Sequence, residues 1–349
     1  MNKIIIPTGY MGSGSSAITD LISEISGYDA DHGTFEYVFL HCPNGVFDLE
    51  DKLLIGNNAL RSDEALRSFR RTMKQLFDKK YWWVGHYNTN MCPEFMDYTN
   101  QYIDSLIQHR PDFYWYYQEN ADAKMIAKLI MKRVVTLLSF GKIQMKKPLV
   151  YDDMVISCVS PEEFYEKSRV YLKKLWTKLG VDKRNLILDQ LLLPFNLHRA
   201  HNYFEENEAK IFVIARDPRD VFIINKYIWQ KNGEPVPYPT DVHEFCKYYA
   251  SLRKMEKQSS YAGVHRFRFE DLIYHYEDSL KQVYDILGVQ PTDHIKKGQG
   301  FNPDRSIENT QLFLADPKFA AERKVIEEKL SEYLYPFPYE RIPNCNKSF

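Results

Sequence analysis

The first twenty residues constrain this chain more than any other stretch. Lys3-Ile4-Ile5-Ile6-Pro7 reads as a short buried strand, Gly9-Tyr10-Met11-Gly12-Ser13-Gly14-Ser15-Ser16 as a small-residue loop, and Ala17 to Ile25 as an amphipathic helix. Strand, glycine loop and helix in that order suit a phosphate. Glycines let backbone N–H groups turn inward, and the unpaired N–H groups of a new helix favour an anion. The spacing approaches the nucleoside-triphosphate loop G-x-x-x-x-G-K-[ST], with Gly9, Gly14 and Ser16 in place and Ser15 where the lysine belongs. An ordinary Gly/Ser turn before a capped helix is the plain alternative.

A second segment points the same way. Lys210-Ile211-Phe212-Val213-Ile214-Ala215 reads as a strand and runs into Arg216-Asp217-Pro218-Arg219-Asp220, followed by a helical run to Trp229. Asp217 suits a helix cap and Pro218 the first helical turn. Arg216 then stands at the C-terminal end of a strand, where open α/β sheets bind ligands. A guanidinium there suits bidentate grip of a phosphate; a surface arginine paired with Asp217 or Asp220 is the alternative. Two such sites two hundred residues apart suggest a ligand with two phosphate groups.

These residues resemble the sulfotransferases that use 3′-phosphoadenosine 5′-phosphosulfate (PAPS). Ser13-Gly14-Ser15-Ser16 matches the last four positions of that family's 5′-phosphosulfate loop, [KR]-[SG]-G-[TS]-[TS], and Arg216 to Asp220 matches its R-[DN]-P-x-[DE] segment for the 3′-phosphate. Val264 to Leu272, with Phe269-Glu270-Asp271-Leu272, resembles its later strand ending, and Lys296-Lys297-Gly298-Gln299-Gly300 its basic closing loop. The resemblance implies PAPS as donor, no metal, and donor contacts from Gly9, Gly12, Ser13, Gly14, Ser15, Ser16, Arg216, Lys297 and Gly298. Two positions depart from the pattern. Gly12 replaces the basic residue of the loop, with Arg61, Lys296, Lys297 and Arg305 as substitutes that spacing does not decide between. Ile224 replaces a serine that assists the key arginine, and the neighbouring Asn225 is taken as its stand-in.

Strands alternating with helices predict an α/β fold. The expectation is one three-layer, P-loop-like domain over 1–349, with a central parallel sheet and a mostly helical insertion at about 60–185 that shapes the acceptor site. Strands are expected at 3–7, 34–40, 186–193, 210–216 and 264–270. Helices are expected at 15–25, 60–78, through much of 96–150, from Pro161 to Leu179 with a stop at Gly180, and at 274–287 and 317–334. Residues 231–235 read as a surface loop. A net charge of −1 gives no electrostatic case for nucleic acid. Five scattered cysteines without metal spacing read as free thiols in a reducing compartment. No signal peptide or membrane span is read, so a cytoplasmic location is expected, with any membrane association through partners or lipid-linked substrates; the oligomeric state is open.

Attack of a hydroxyl on sulfur needs a base. Glu36 is the first choice, because Glu-Tyr-Val-Phe-Leu-His resembles a stretch of glycan O-sulfotransferases whose glutamate is the base; a strand-end glutamate in a salt bridge is the alternative. His41 is second, with His32 and His86 behind it. The aromatics Tyr81, Trp82, Trp83, Tyr87 and Phe113 to Tyr117 suit sugar stacking, though most of them read as a core under the insertion. Three readings follow: sulfuryl transfer from PAPS to a carbohydrate hydroxyl; an ATP-dependent phosphotransferase, which would need a lysine at 15 and an acid such as Asp189; and a non-catalytic relative that binds nucleotide or glycan.

Overall fold

The structure, a computed structural model, describes residues 3–29, 35–79, 84–115, 123–143 and 152–343. It is α/β, with a parallel sheet surrounded by helices. The first elements are β1 (Ile4–Gly9), α1 (Ser16–Ser23), β2 (Tyr28–Asp29), α2 (Val46–Leu54), α3 (Ala59–Asp78), α4 (Tyr87–Asn90) and α5 (Phe95–Leu106). Then come β3 (Tyr114–Trp115), α6 (Ala123–Leu138), β4 (Asp152–Asp153), α7 (Pro161–Leu179), β5 (Asn185–Ile187), α8 (Ala200–Tyr203), β6 (Ala209–Ala215) and α9 (Pro218–Ile223). A π-helical turn at Ile224–Trp229 leads to α10 (Gln230–Asn232), α11 (Val242–Lys254), β7 (Val264–Arg268), α12 (Asp271–Tyr274), α13 (Tyr276–Leu287), α14 (Pro303–Ser306) and α15 (Ala320–Lys329).

The chain forms two compact units. The first comprises Met1–Cys42, Leu76–Phe95 and Leu172–Phe349, and the second Pro43–Gln75 and Met96–Tyr171. The first carries the parallel sheet in the order β2-β5-β1-β6-β7. β1 lies at its centre, in register with β6 from Ile4 opposite Ala209 to Gly9 opposite Ile214. Ile4, Ile5 and Ile6 are fully buried, as expected of a parallel strand covered on both faces. Ile5, Phe212, Ile214 and Phe267 pack with Ile18, Leu21 and Ile22 of α1 and with Leu280, Val283 and Leu287 of α13. A second cluster joins Val221, Phe222 and Ile224 to Phe245, Phe313 and Ile326.

The second unit is held by polar ties among aromatic rings. Tyr102 stacks on Tyr171 at 4.8 Å and shares a 2.7 Å hydrogen bond with Ser168. Buried Asp63 accepts from the backbone N–H of Val155 (2.9 Å) and from Arg67 (3.1 Å). β3 and β4 pair antiparallel.

Several expectations change. Residues 35–38 run without regular structure and 39–40 turn, so no strand occupies 35–40; Thr34 lies outside the described residues. Tyr37 N–H does reach the Asp189 carbonyl (2.9 Å). The apolar run after Leu186 leaves the strand at Ile187 and turns at Gln190, whose φ is +57°. The region 96–150 is broken between α5 and α6 by β3. Residues 274–287 form two helices that meet at His275, and 317–334 is α15 with short 3-10 turns on either side. α7 runs from Pro161 to Leu179 as expected, and stops at Gly180 with φ +92°. Cys42, Cys92, Cys158 and Cys246 are free thiols.

The segment 294–301 is folded around one buried carboxylate. Glu24, just past α1, accepts from Gly298 N–H (3.0 Å), Gly300 N–H (2.7 Å), Phe301 N–H (2.8 Å) and the ring of His294 (2.6 Å). His294 is tied in turn to Tyr284 at 2.7 Å. Removing the acceptor strands three amides and an imidazole inside the protein. Glu24→Ala should therefore cost about 3–5 kcal/mol of stability, the usual penalty for breaking a buried charged network. Urea unfolding measures it; a loss under about 1 kcal/mol would show that other contacts hold the segment.

Candidate functional site

The site begins where β1 ends. Gly9 closes the strand against β6 so tightly that a Cβ there would lie 2.8 Å from the Ile214 carbonyl and 2.2 Å from Ser13 Oγ. Gly12 and Gly14 both have φ +76°, which L side chains rarely adopt. A Cβ at Gly14 would meet the ring of Phe269 at 2.9 Å, and one at Gly12 would meet Trp229 at 3.2 Å. The basic side chain that the resemblance expects at position 12 thus meets both a strained φ and an indole.

The loop carbonyls are claimed from the protein side. Tyr10 C=O accepts from Ser13 N–H (2.8 Å), Met11 C=O from the Tyr238 hydroxyl (2.9 Å), and Gly12 C=O from Arg216 (3.4 Å). Gly14 C=O accepts from Ala17 N–H (3.0 Å), and Ser15 C=O from Ile18 N–H (3.2 Å). Among the described residues, the N–H groups of Gly12, Gly14, Ser15 and Ser16 have no protein acceptor. Ser13 Oγ is buried without a partner. Carbonyls tied back and amides left over, at alternating αL glycines before a helix, make an anion nest.

The loop is braced from three sides. Tyr10 hydrogen-bonds Glu256 and carries the guanidinium of Arg253 over its ring at 3.9 Å. Ser15 Oγ accepts from Gln190 Nε2 (2.9 Å), and Thr8 donates to the other end of that amide (3.1 Å). His41 donates from Nε2 to the Gln190 carbonyl at 2.8 Å, and burial lowers its pKa. His41 thus anchors the residue that holds Ser15.

Arg216 follows the C-terminal end of β6, as expected, and is closed in by the protein. It is 3% exposed; its Nη atoms go to the carbonyls of Gly12 and Asn309, and its plane lies 4.6 Å over the Phe269 ring. Asp217, Asp220 and Glu270 surround it and oppose the lowering of its pKa by burial. Each of these acids also braces backbone. Asp217 caps α9 through Arg219 N–H (2.8 Å), Asp220 accepts from Gln311 and Leu312 N–H (2.9 and 2.7 Å), and Glu270 accepts from Asp217 N–H (2.7 Å). The capping roles of Asp217 and Pro218 are as the sequence predicts.

The other residues expected at the donor have these partners in the protein. Asn225 is fully buried in the π-helical turn, and both ends of its amide bind the backbone of Tyr238 (3.0 and 3.1 Å). It anchors the tyrosine that holds Met11. Ile224 beside it is core. Gly298 N–H belongs to Glu24, and Lys297 pairs at the surface with Glu277 (3.0 Å). Arg305 donates to the Gly300 carbonyl (2.9 Å), and its charge acts on Asp20 of α1. Arg61 belongs to the second unit. His86 begins α4 with φ +57°, and His32 lies outside the described residues.

One group that sequence reasoning used only for the phosphotransferase reading gains weight. Asp189 follows β5, the neighbour of β1, and its Oδ1 is buried without a hydrogen-bond partner. Burial pushes its pKa up to about 7, and the charge of Glu36 adds to the rise. Glu36 is half-buried between the core residues Phe35 and Tyr37. The charge of Glu36 thus acts on Asp189 in the same direction as burial. The signal in the sequence was an acid directly after an apolar run.

A carboxyl whose folded pKa is raised binds its proton more tightly in the native state. Its stabilising effect is complete below the unfolded pKa and is lost as pH rises toward about 7. Asp189→Asn should match the wild type in thermal stability below about pH 4. It should exceed the wild type at pH 8, where the native carboxylate is buried and charged. A variant less stable at pH 8 would reveal a stabilising partner for the carboxylate.

No family profile and no curated protein matches the sequence. Among solved structures, the chain is similar to the sulfotransferase domain from the curacin biosynthetic pathway, at 14% identity and TM-score 0.37, over 97% of this chain and 94% of that one. It is similar to the sulfotransferase domain of the Synechococcus PCC 7002 olefin synthase at 14% identity and TM-score 0.39, over 99% and 92%. The likeness to sulfotransferase STF9 from Mycobacterium avium is 12% identity and TM-score 0.35, over 98% and 78%.

Proposed function

We propose that the chain transfers a sulfuryl group from PAPS to a hydroxyl of a carbohydrate acceptor, with the Gly12–Ser16 loop receiving the 5′-phosphosulfate. The observation that carries this reading is the loop itself, with carbonyls tied back, four amides without protein acceptors and the buried Ser13 hydroxyl unpartnered. Fixed donors of this kind act most strongly on charge that develops during reaction. The acceptor oxygen forms a bond to sulfur, the bond from sulfur to the 5′-phosphate oxygen breaks, and its electron pair leaves with adenosine 3′,5′-bisphosphate. The hydroxyl proton passes to the Glu36–Asp189 pair.

The 3′-phosphate is less well provided for. Arg216 is buried with its Nη atoms on carbonyls, so we assign it to holding the loop. Arg216→Ala should then weaken adenosine 3′,5′-bisphosphate and adenosine 5′-phosphosulfate alike, each by about tenfold or more, the scale of one charge-assisted hydrogen bond. Calorimetric titration of both ligands checks this. A loss confined to the bisphosphate would return the arginine to the 3′-phosphate.

A carbohydrate acceptor rests on the Glu36 stretch. Tyr87 is core and receives Val38 N–H (3.0 Å), so it leaves the set of stacking aromatics; Tyr81, Trp82, Trp83, Tyr116 and Tyr117 lie outside the described residues. Within the second unit, Arg67, Arg70, Arg71 and Lys74 line a groove of about 530 Å³ with Met96 and Asn100. A panel of neutral and acidic oligosaccharides assayed with PAPS tests the acceptor class, and transfer to none of them would remove the carbohydrate reading.

The base can be separated from its neighbour by pH. If Asp189 takes the proton, kcat/KM rises with pH through a limb near 7. Glu36→Gln then moves that limb to lower pH with turnover preserved, because the like charge that raises it is gone. If Glu36 takes the proton, the same variant loses about 10²–10⁴-fold.

The phosphotransferase reading gains its acid, since Asp189 stands after the strand beside β1, and still lacks a cation at position 15, where Ser15 is held by Gln190. Titration with adenosine 3′,5′-bisphosphate and, separately, with ATP and Mg²⁺ decides between the readings. Tight binding of the first with weak ATP supports sulfuryl transfer; the reverse overturns it.

A further inference from the structure

α6 exposes apolar side chains that no packed helix would leave bare. Ile126, Leu129, Ile130, Val134, Leu137 and Leu138 follow one another at helical spacing, and each is between 45% and 76% exposed. Phe140, just beyond the helix, is 92% exposed. Scattered surface leucines need no explanation, but a run of this density marks an interaction surface.

The charge carried by this stretch of sequence says what covers it. From 123 to 151 the sequence holds no Asp or Glu, whereas Lys124, Lys128, Lys132, Arg133, Lys142, Lys146 and Lys147 are all cationic. Two copies of such a segment repel one another, so self-pairing is disfavoured. A basic apolar helix of 16 residues is about 24 Å long. That is short of the bilayer hydrocarbon core of about 30 Å, and no helix among the described residues is long and apolar enough to cross a membrane. The composition fits a helix lying in the interface, with its apolar face at the acyl boundary and its cations among anionic headgroups.

We propose that α6 docks this protein on an anionic membrane surface. This goes beyond the transfer reaction and stands without it. Lys132 and Arg133 supply the attraction, Leu137 and Leu138 the insertion, and Phe140 extends the apolar edge.

Cosedimentation of the full chain with vesicles tests it, using phosphatidylcholine alone and phosphatidylcholine with about one-third phosphatidylglycerol, a fraction sufficient for a negative surface. The chain should pellet with the anionic vesicles at least about tenfold more strongly than with the neutral ones, and less so at high salt. Leu137→Glu with Leu138→Glu should abolish binding with an unchanged melting temperature, because both positions are exposed. Lys132→Gln with Arg133→Gln should weaken binding and flatten its salt dependence. Equal pelleting of the wild type and the Leu137/Leu138 variant overturns the proposal. So does a dimer in sedimentation velocity that this variant dissolves while the wild type ignores vesicles, since the face then joins two copies.

Discussion

The whole arrangement around the loop depends on where its carbonyl groups go. A backbone segment that passes a buried turn must satisfy both its N–H and its C=O groups. Here the carbonyls of Tyr10, Met11, Gly12, Gly14 and Ser15 are all satisfied by the protein, two of them by the side chains of Tyr238 and Arg216. That leaves the amides as the surplus, and surplus amides at a helix start define an anion site. Tyr238 is placed by Asn225 in the π-helical turn, and Arg216 by β6 and the ring of Phe269. Residues two hundred positions away thus set the polarity of an eight-residue loop.

The same economy governs the acids. Asp217, Asp220 and Glu270 stand around one buried guanidinium, and each also receives backbone N–H groups. Glu24 gathers three backbone N–H groups of the 294–301 segment. Asp189 differs, because one of its oxygens has no partner and its charge is opposed by Glu36. Most of the buried charge near the sheet organises backbone, whereas the Asp189 carboxyl keeps one buried oxygen without a partner.

Local signals carried the parts of the fold that are locally determined. The β1–loop–α1 unit was legible because an apolar strand, αL glycines and a helical apolar face all agree. α7 was legible from Pro161 and Gly180. The run from Leu186 to Leu193 misled because an apolar stretch has no period, and its turn is set by Gln190, which His41 and Ser15 hold from outside. The stretch at 35–40 is rich in β-formers, yet 35–38 run without regular structure, with Tyr37 N–H tied to the Asp189 carbonyl. The site residues were legible as types and positions but not as partners. Nothing in the order of residues says that Asn225 will be taken by Tyr238, that Gly298 will be taken by Glu24, or that Arg216 will be closed over by Asn309 and Phe269.

The central claim is that the amides of the loop receive the anion. Amide-resolved NMR of the ¹⁵N-labelled chain, titrated with adenosine 3′,5′-bisphosphate, addresses it directly. The account predicts that the N–H signals of Gly12, Gly14, Ser15 and Ser16 move together and saturate with one affinity. Binding that shifts signals elsewhere while these four stay in place would contradict it.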